Sequence, residues 1–360
     1  MLDISYTAYM VLQNKYDEWD EFIQSHPAGG ITQSSNWHYV KGIDWKAAII
    51  MSKTPDGAPR GGLSVLARGV PLVGHAILYA PRGPVCDFHD REVLEELLAG
   101  VREVTQHYGG CKLTIDPYVL GTDQEFMDIM ADMGFTRNLG TGGFDTIQPR
   151  FNYRLYFNGR SEEEVFAAFS QKTRYNIRLA EKHGVEIRQC NDAALDDFVR
   201  LMKMTGERDG FTTRSKAYFK NMLRYLKDRG RLYMAYYNGA AVAGAIVSNY
   251  AGKTCYLYGA SDNAHRNVMP NYLLQWEMIR WAMQTGCTVY DFQGVSGNID
   301  DESDPLYGLY RFKKGFNGQI DELAGEFEYI LHPKGAKAAD IVMNAGQKAR
   351  GLLKKAGAGR

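Results

Sequence analysis

Toward its carboxy end the chain reads "YGLYRFKKGFNG", which sets Lys313 and Lys314 among Tyr307, Tyr310, Phe312 and Phe316. An ammonium prefers water and rings prefer burial. A positive charge fixed in a water-poor site can stabilise the oxyanion of an acyl transfer. A lysine at a strand edge can equally lay its stem on the rings and send its charge to solvent. The residues alone leave both readings open. If the segment is extended, neighbouring side chains face opposite ways, so only one of the two lysines enters a given pocket.

Asp116, in "TIDPY", is a second candidate. It ends a predicted strand that Pro117 keeps extended. Its carboxylate can hold an ammonium or help remove the proton of an attacking amine. Basic side chains are a third feature. Arg174, Arg178 and Lys182 fall at i, i+4 and i+8 on one predicted helix face. Residues 331–360 carry seven Lys or Arg against one acid, Asp340. Local basic surface of this kind suits nucleic-acid phosphate, and it equally suits a solvated face and a soluble tail. Arg214 and Tyr218 in "TRSKAYF" stand four apart, one side of a helix turn.

The elements that would carry these residues occur twice. "HAILYAPRGPV", a helical stretch and "GGCKLTIDPYV" are echoed by "KTCYLYGASDN", a helical stretch and "TGCTVYDFQGV". The echo pairs Tyr79 with Tyr258 and Asp116 with Asp291, at nearly constant offset. Leu94, Leu97, Leu98, Val101 and Val104 make one apolar helix face, and Leu274, Met278, Trp281 and Ala282 make its counterpart. Asn238-Gly239 and Ala251-Gly252 read as hairpin turns. Residues 161–184 read as one long helix, opened by a Ser161/Glu164 capping box. The expectation is a mixed α/β fold built twice: one domain from residues 1–149 plus 329–360, a second from 150–328, with the last helix returning to the first.

Composition narrows the partners. Forty-two basic and forty-two acidic residues cancel, which removes any global pull toward nucleic acid or membrane. No stretch has the length of an apolar bilayer span, and the first residues are no signal peptide. Five scattered cysteines fit reduced thiols of the cytoplasm. The eight histidines show no metal-ligand spacing and no P-loop is present, so neither metal nor ATP hydrolysis is expected.

"FSQKTRYNIRLAEKHGVEI", "GERDGFTTRSKAYF", "NYLLQWEMIRWAMQTGCTVYDFQGV" and "PLYGLYRFKKGFNG" together resemble the FemABX family. Its members are peptidyltransferases that move an amino acid from aminoacyl-tRNA onto peptidoglycan precursors. The resemblance runs from "ITQSSNWHYVK" to "FKKGFNGQIDELAGEF", over most of the chain. It implies two tandem domains of the Gcn5-related acetyltransferase type (GNAT), here without the coiled-coil arm that some members insert. It implies catalytic roles for Lys313 and Asp116, with Phe312 shaping the pocket. In an extended segment Lys313 would share its face with Arg311 and Gly315. It also implies acceptor contacts from Lys41, Arg214, Tyr218 and Tyr258, and tRNA contacts from Arg174, Arg178 and Lys182. The expected acceptor is UDP-MurNAc-pentapeptide or a lipid-linked precursor. The expected form is a cofactor-free monomer, cytoplasmic or peripheral at the inner face of the membrane. An acyl-CoA donor is the competing reading, and a non-catalytic binding protein of the same duplicated fold is another. Acetyltransferases of this fold cradle the CoA pyrophosphate with a glycine-rich loop opening a helix. "RNVMPNYLL" puts Met269 and Asn271 where those glycines belong, and "HDREVLEE" has none.

Overall fold

The computed structural model describes residues 1–6, 13–42, 44–142 and 144–357. It divides into two units, Met1–Leu139 with Ala324–Arg360, and Gly140–Leu323.

The first unit runs β1 (Leu2–Tyr6), α1 (Gln13–Ser25), α2 (Ser35–Lys41), β2 (Lys46–Lys53), β3 (Pro59–Gly69), β4 (Ala76–Ala80), β5 (Val85–Cys86), α3 (Arg91–Tyr108), β6 (Gly110–Ile115), α4 (Gln124–Asp132) and β7 (Thr136–Asn138). The second runs β8 (Phe151–Tyr156), α5 (Glu162–Ala168), α6 (Gln171–Lys182), β9 (Glu186–Cys190), α7 (Leu195–Asp209), α8 (Lys216–Leu226), β10 (Gly230–Tyr237), β11 (Ala240–Tyr250), β12 (Lys253–Ser261), α9 (Pro270–Gln284), β13 (Val289–Gly294), α10 (Tyr307–Lys314) and β14 (Gln319–Glu322). Then β15 (Glu326–Ile330) and α11 (Pro333–Gly357) return to the first.

Each unit forms one mixed sheet. The orders are β1-β2-β3-β4-β6-β15-β7, with β5 on β3, and β9-β10-β11-β12-β13-β8-β14. Both hold one parallel pair, β4 with β6 and β12 with β13, flanked by antiparallel neighbours. The sixth place is filled crosswise: β8, directly after β7, completes the second sheet, and β15, directly after β14, completes the first. Because β15 belongs whole to the first sheet, one unit boundary lies at 323/324 rather than 328/329, and the other lies at 139/140 rather than 149/150. Gly297 N–H bonds Gly142 O, tying the 140s to the second unit. Phe327 of β15 packs on Phe126 in the first.

The helix faces expected from periodicity are the ones buried. Val93, Leu94, Leu97, Leu98, Val101 and Val104 of α3 cover the first sheet, and Leu274, Met278, Trp281 and Ala282 of α9 lie in the second core. Burying each such large side chain contributes about 1.5–3 kcal/mol. Asp90 caps α3 by accepting the Val93 N–H, and Gly109 at φ 71° ends it. The hairpin turns hold Asn238-Gly239 and Ala251-Gly252 at positive φ, as the tightest hairpin turns require. Ala336, Ala339, Val342 and Met343 of α11 pack on Val70 and Cys111.

The single helix expected over 161–184 is two. Phe169 turns extended (ψ 153°), which drives its ring into the core against Trp276 and Phe316. Ser170 then caps α6 through the Thr173 N–H. Among the described residues no helix is long and apolar enough to cross a membrane.

Candidate active site

The "FKKG" segment is helical, not extended, so alternation of faces does not apply to it. Asp304 accepts the Leu306 N–H and starts the turn. Along α10, Tyr310 and Lys313 stand three apart on the buried face, while Arg311 and Lys314 are exposed. Lys313 thus shares its face with Tyr310, not with Arg311. Phe312 is half-buried, edge-on to Tyr272 and Phe316.

Lys313 is 3% exposed. Its Nζ donates to the main-chain oxygens of Phe292 (2.7 Å), Gln293 (3.3 Å) and Gly294 (2.7 Å) at the end of β13. Burial pushes its pKa down to about 7, opposed by the Asp291 carboxylate. Three acceptors call for three N–H donors, which only the ammonium supplies. Snorkelling to solvent is excluded by this geometry. The protonated form is the one these carbonyls hold. Lys314 instead places its Nζ 5.5 Å from the Tyr310 ring centre.

Gly315 follows. A Cβ there would meet Thr173 Oγ1 at 2.3 Å, and its carbonyl accepts the Ser170 N–H at 2.9 Å. The glycine therefore lets the start of α6 lie against the end of α10. Arg174, in that first turn of α6, donates to the carbonyls of Ala167 and Phe169. Arg178 stacks over Phe166, and Lys182 is exposed. Of the three residues assigned to tRNA, the first is engaged by its own backbone. The side chains of Lys348, Arg350, Lys354, Lys355 and Arg360 in the basic tail lie outside the described residues.

Arg214, Tyr218 and Tyr258 come together. Arg214 precedes α8, whose cap is Ser215, and its guanidinium stacks 5.3 Å over the Tyr218 ring. Tyr258 OH donates to Tyr218 OH at 3.4 Å. Burial is the main cause of a raised Tyr218 pKa, so its hydroxyl stays protonated.

In the first unit Asp116 is 2% exposed. Its carboxylate accepts the Tyr79 hydroxyl at 2.6 Å and the Arg82 N–H at 2.5 Å. Burial pushes its pKa up, while the Arg82 charge and both hydrogen bonds pull the other way. Arg82 is itself buried over Tyr118, so it shapes the loop around Asp116. Lys41 ends α2 with its Nζ 5.2 Å over the Trp37 ring.

The residue-level echo of the repeat does not carry over. Asp116 follows β6, whereas Asp291 lies within β13 opposite Cys255 and binds Arg154 at 3.0 Å. Tyr79 touches its aspartate, while Tyr258 bonds Tyr218. Sequence reasoning also missed His38 and Gln33. His38 Nε2 meets Ser64 Oγ at 2.5 Å, its Nδ1 is buried without a partner, and burial lowers its pKa to about 4. Gln33 bonds both main-chain groups of Ser64 and the Pro81 carbonyl. The available signal was "NWHYVK", where His38 lies one turn before Lys41.

Comparison with known proteins agrees with this architecture. The FemAB family profile matches residues 15–249 and 237–343. A lipid II:glycine glycyltransferase of Staphylococcus haemolyticus is 28% identical, covering 88% of this chain and 91% of that protein. The Staphylococcus aureus enzyme of the same name is also 28% identical, with the same coverages. The crystal structure of FemX matches with a TM-score of 0.82 and 27% identity, over 90% of this chain and 98% of FemX. A tandem GNAT protein from the clavulanic acid pathway shares the fold at a TM-score of 0.53 and 12% identity, covering 92% and 98%. With its two mixed sheets of GNAT type, the chain belongs to the FemAB family and is an aminoacyltransferase.

Proposed function

We propose that this protein moves an amino acid from aminoacyl-tRNA onto the stem-peptide amine of a lipid-linked peptidoglycan precursor, acting as a monomer at the cytoplasmic face of the membrane. The observation that carries the reading is the buried ammonium of Lys313. An aminoacyl ester is already activated, so no ATP is needed. The acceptor amine attacks the ester carbonyl, the C–N bond forms, and the ribose oxygen leaves. What the protein must supply is a fixed positive charge for the oxyanion that forms in between. Lys313, when protonated, offers that charge from a buried place where three carbonyls hold it. Its longest bond, to Gln293 O, is the one an oxyanion would replace. Asp116 is assigned to the acceptor amine, which it holds as an ammonium or relieves of a proton. The ribose hydroxyl of the departing tRNA can carry the same proton. Phe312 lines the pocket. Lys41 and Arg214 are assigned to the diphosphate of the acceptor, Tyr218 and Tyr258 to its neighbourhood, and Arg174, Arg178 and Lys182 to tRNA.

The acyl-CoA reading finds little support. Helix α9 opens with Met269 at φ 57° and Pro270 at its first position, with no side-chain cap. Proline lacks the N–H that a pyrophosphate cradle uses. The lipid-linked acceptor is preferred because the glycyltransferase relatives are named for lipid II.

The test is a product mass. The purified protein is incubated with a pool of charged tRNAs and either the lipid-linked precursor or UDP-MurNAc-pentapeptide. One added residue on the lipid-linked precursor is expected, and its mass identifies the amino acid. Product on the UDP-linked precursor alone would overturn the acceptor. Product from acetyl-CoA but from no charged tRNA would overturn the donor.

A further inference from the structure

In a regular strand successive carbonyls point to alternate sides, so three in a row cannot meet one donor. At the end of β13 they do, and the cause is a break in the strand. Pairing with β8 slips between Asp291 and Gly294. Inside the slip Gln293 takes φ 63°, a region that side-chain-bearing residues seldom enter. One oxygen of Asp291 accepts the Gln293 N–H at 2.7 Å, closing a short turn around it. The other oxygen is held by Arg154 Nε at 3.0 Å, and Arg154 Nη1 reaches Asp321 at 3.1 Å. Asp291, Arg154 and Asp321 are all buried. Two carboxylates thus stand with two cations, Arg154 and Lys313. In the first unit Asp116 likewise accepts the N–H of a residue at positive φ, Arg82 at 58°, but from 34 positions away rather than within one turn.

We propose that Asp291 is a positioning residue for transfer: by holding Gln293 in its turn it aims the carbonyls of Phe292, Gln293 and Gly294 at the Lys313 ammonium and fixes where that charge sits. The inference rests on Lys313 taking part in the reaction. A lysine that acts in the transition state and is moved from its place costs kcat more than KM.

The test is a set of steady-state measurements with charged tRNA and the lipid-linked precursor. Asp291→Ala removes the acceptor of the turn. It should lower kcat by about tenfold or more, with both KM values within about twofold. Asp291→Asn keeps one acceptor oxygen for the Gln293 N–H but turns an amide donor toward Arg154, so its kcat should lie between wild type and Asp291→Ala. Glycine takes positive φ freely, so Asp291→Ala with Gln293→Gly should regain about threefold or more over Asp291→Ala. If the alanine chain does not fold, Gln293→Val decides. A β-branched residue strains the same turn, leaves the Arg154 pair intact, and should lower kcat by about tenfold with KM unchanged. Wild-type kcat in Asp291→Ala or Gln293→Val, an asparagine variant as slow as alanine, or no gain from the added glycine would each overturn the proposal. Lys313→Met run alongside separates the two ideas. If Lys313→Met is fully active, the assignment of Lys313 fails. If it is inactive while Asp291→Ala is normal, only the positioning role fails.

Discussion

His38 in the first unit and Lys313 in the second are both bases buried beyond the reach of solvent. Burial lowers the pKa of each, to about 4 and about 7. Their neighbours then treat them differently. His38 has one hydroxyl at Nε2 and nothing at Nδ1, so a second proton would have no acceptor. Lys313 has three carbonyls for three protons. Lysine starts at 10.5 and histidine at 6.5, so burial leaves Lys313 near neutrality, helped by the Asp291 charge, and takes His38 well below it. The helices that precede the edge strands differ too. Before the edge strand the first unit has α4, whose buried residues are Phe126 and Met130. In the corresponding place α10 buries Tyr310 and Lys313.

The sharpest way to break this comparison is to remove the charge. Lys313→Met keeps the length of the side chain and leaves three carbonyls without their donor. Loss of one oxyanion-stabilising donor typically costs about 10²- to 10³-fold, and kcat should fall by that order while KM changes little. Lys314→Met, on the exposed side of the same helix, should stay close to wild type. Equal activity of the two variants, or arrest by Lys314→Met alone, would remove the reading of α10 as the catalytic helix.

Much of the scaffold was legible because periodicity and turn residues act locally. The α3 and α9 faces, the two hairpins and the capping box at Ser161 are set by neighbours within a few positions. What was not legible depended on contacts distant in sequence. The residues of "RFKKGF" leave an extended segment open, yet it is a helix because Asp304 starts the turn and Tyr310 with Lys313 finds a core. The helix over 161–184 breaks because Phe169 has an aromatic cluster to enter. The crosswise exchange of β8 and β15 has no local signature, so the second unit boundary, expected inside β15, lies ahead of it. Lys313, Asp116 and the Arg214–Tyr218–Tyr258 group were singled out by residue type and resemblance. The Arg154–Asp291–Asp321 cluster was not, because a buried ion pair assembled from three strands leaves no pattern along the chain.

The histidine half of the comparison has its own measurement, in stability rather than rate. The pKa of His38 is 6.5 when unperturbed and about 4 in the fold. Between those values the unfolded chain takes up a proton that the folded chain refuses. Stability from this group is therefore fully present above pH 6.5 and is lost as pH falls toward 4. The difference amounts to about 3 kcal/mol. His38→Gln keeps a group near the Nε2 position for Ser64 and cannot titrate. Urea midpoints measured at pH 7 and at pH 4.5 should fall less in the variant than in wild type. Identical pH dependence of the two chains would mean that His38 is not the neutral, acceptor-poor base described here.

The smallest effect concerns two basic residues on corresponding helices. Helices α2 and α8 each precede the second strand of their sheet. Lys41 lies at the end of α2 over Trp37, four positions earlier, and Arg214 lies before α8 over Tyr218, four positions later. Both cations rest on a ring, a contact that steadies the side chain. Under the proposed function their N–H donors meet the acceptor's diphosphate, Lys41 as a point charge and Arg214 through its planar fork. Lys41→Ala and Arg214→Ala should each weaken binding of the precursor by ~1.5 to 3 kcal/mol, the worth of a charge-assisted hydrogen bond. The arginine variant should lose more, because a fork makes two bonds where a lysine makes one. Titration of each variant with the lipid-linked precursor in detergent measures this directly. Unchanged affinity in both would make the two cation–ring pairs surface packing alone. A loss in only one would show that a single unit of the duplicated fold receives the diphosphate.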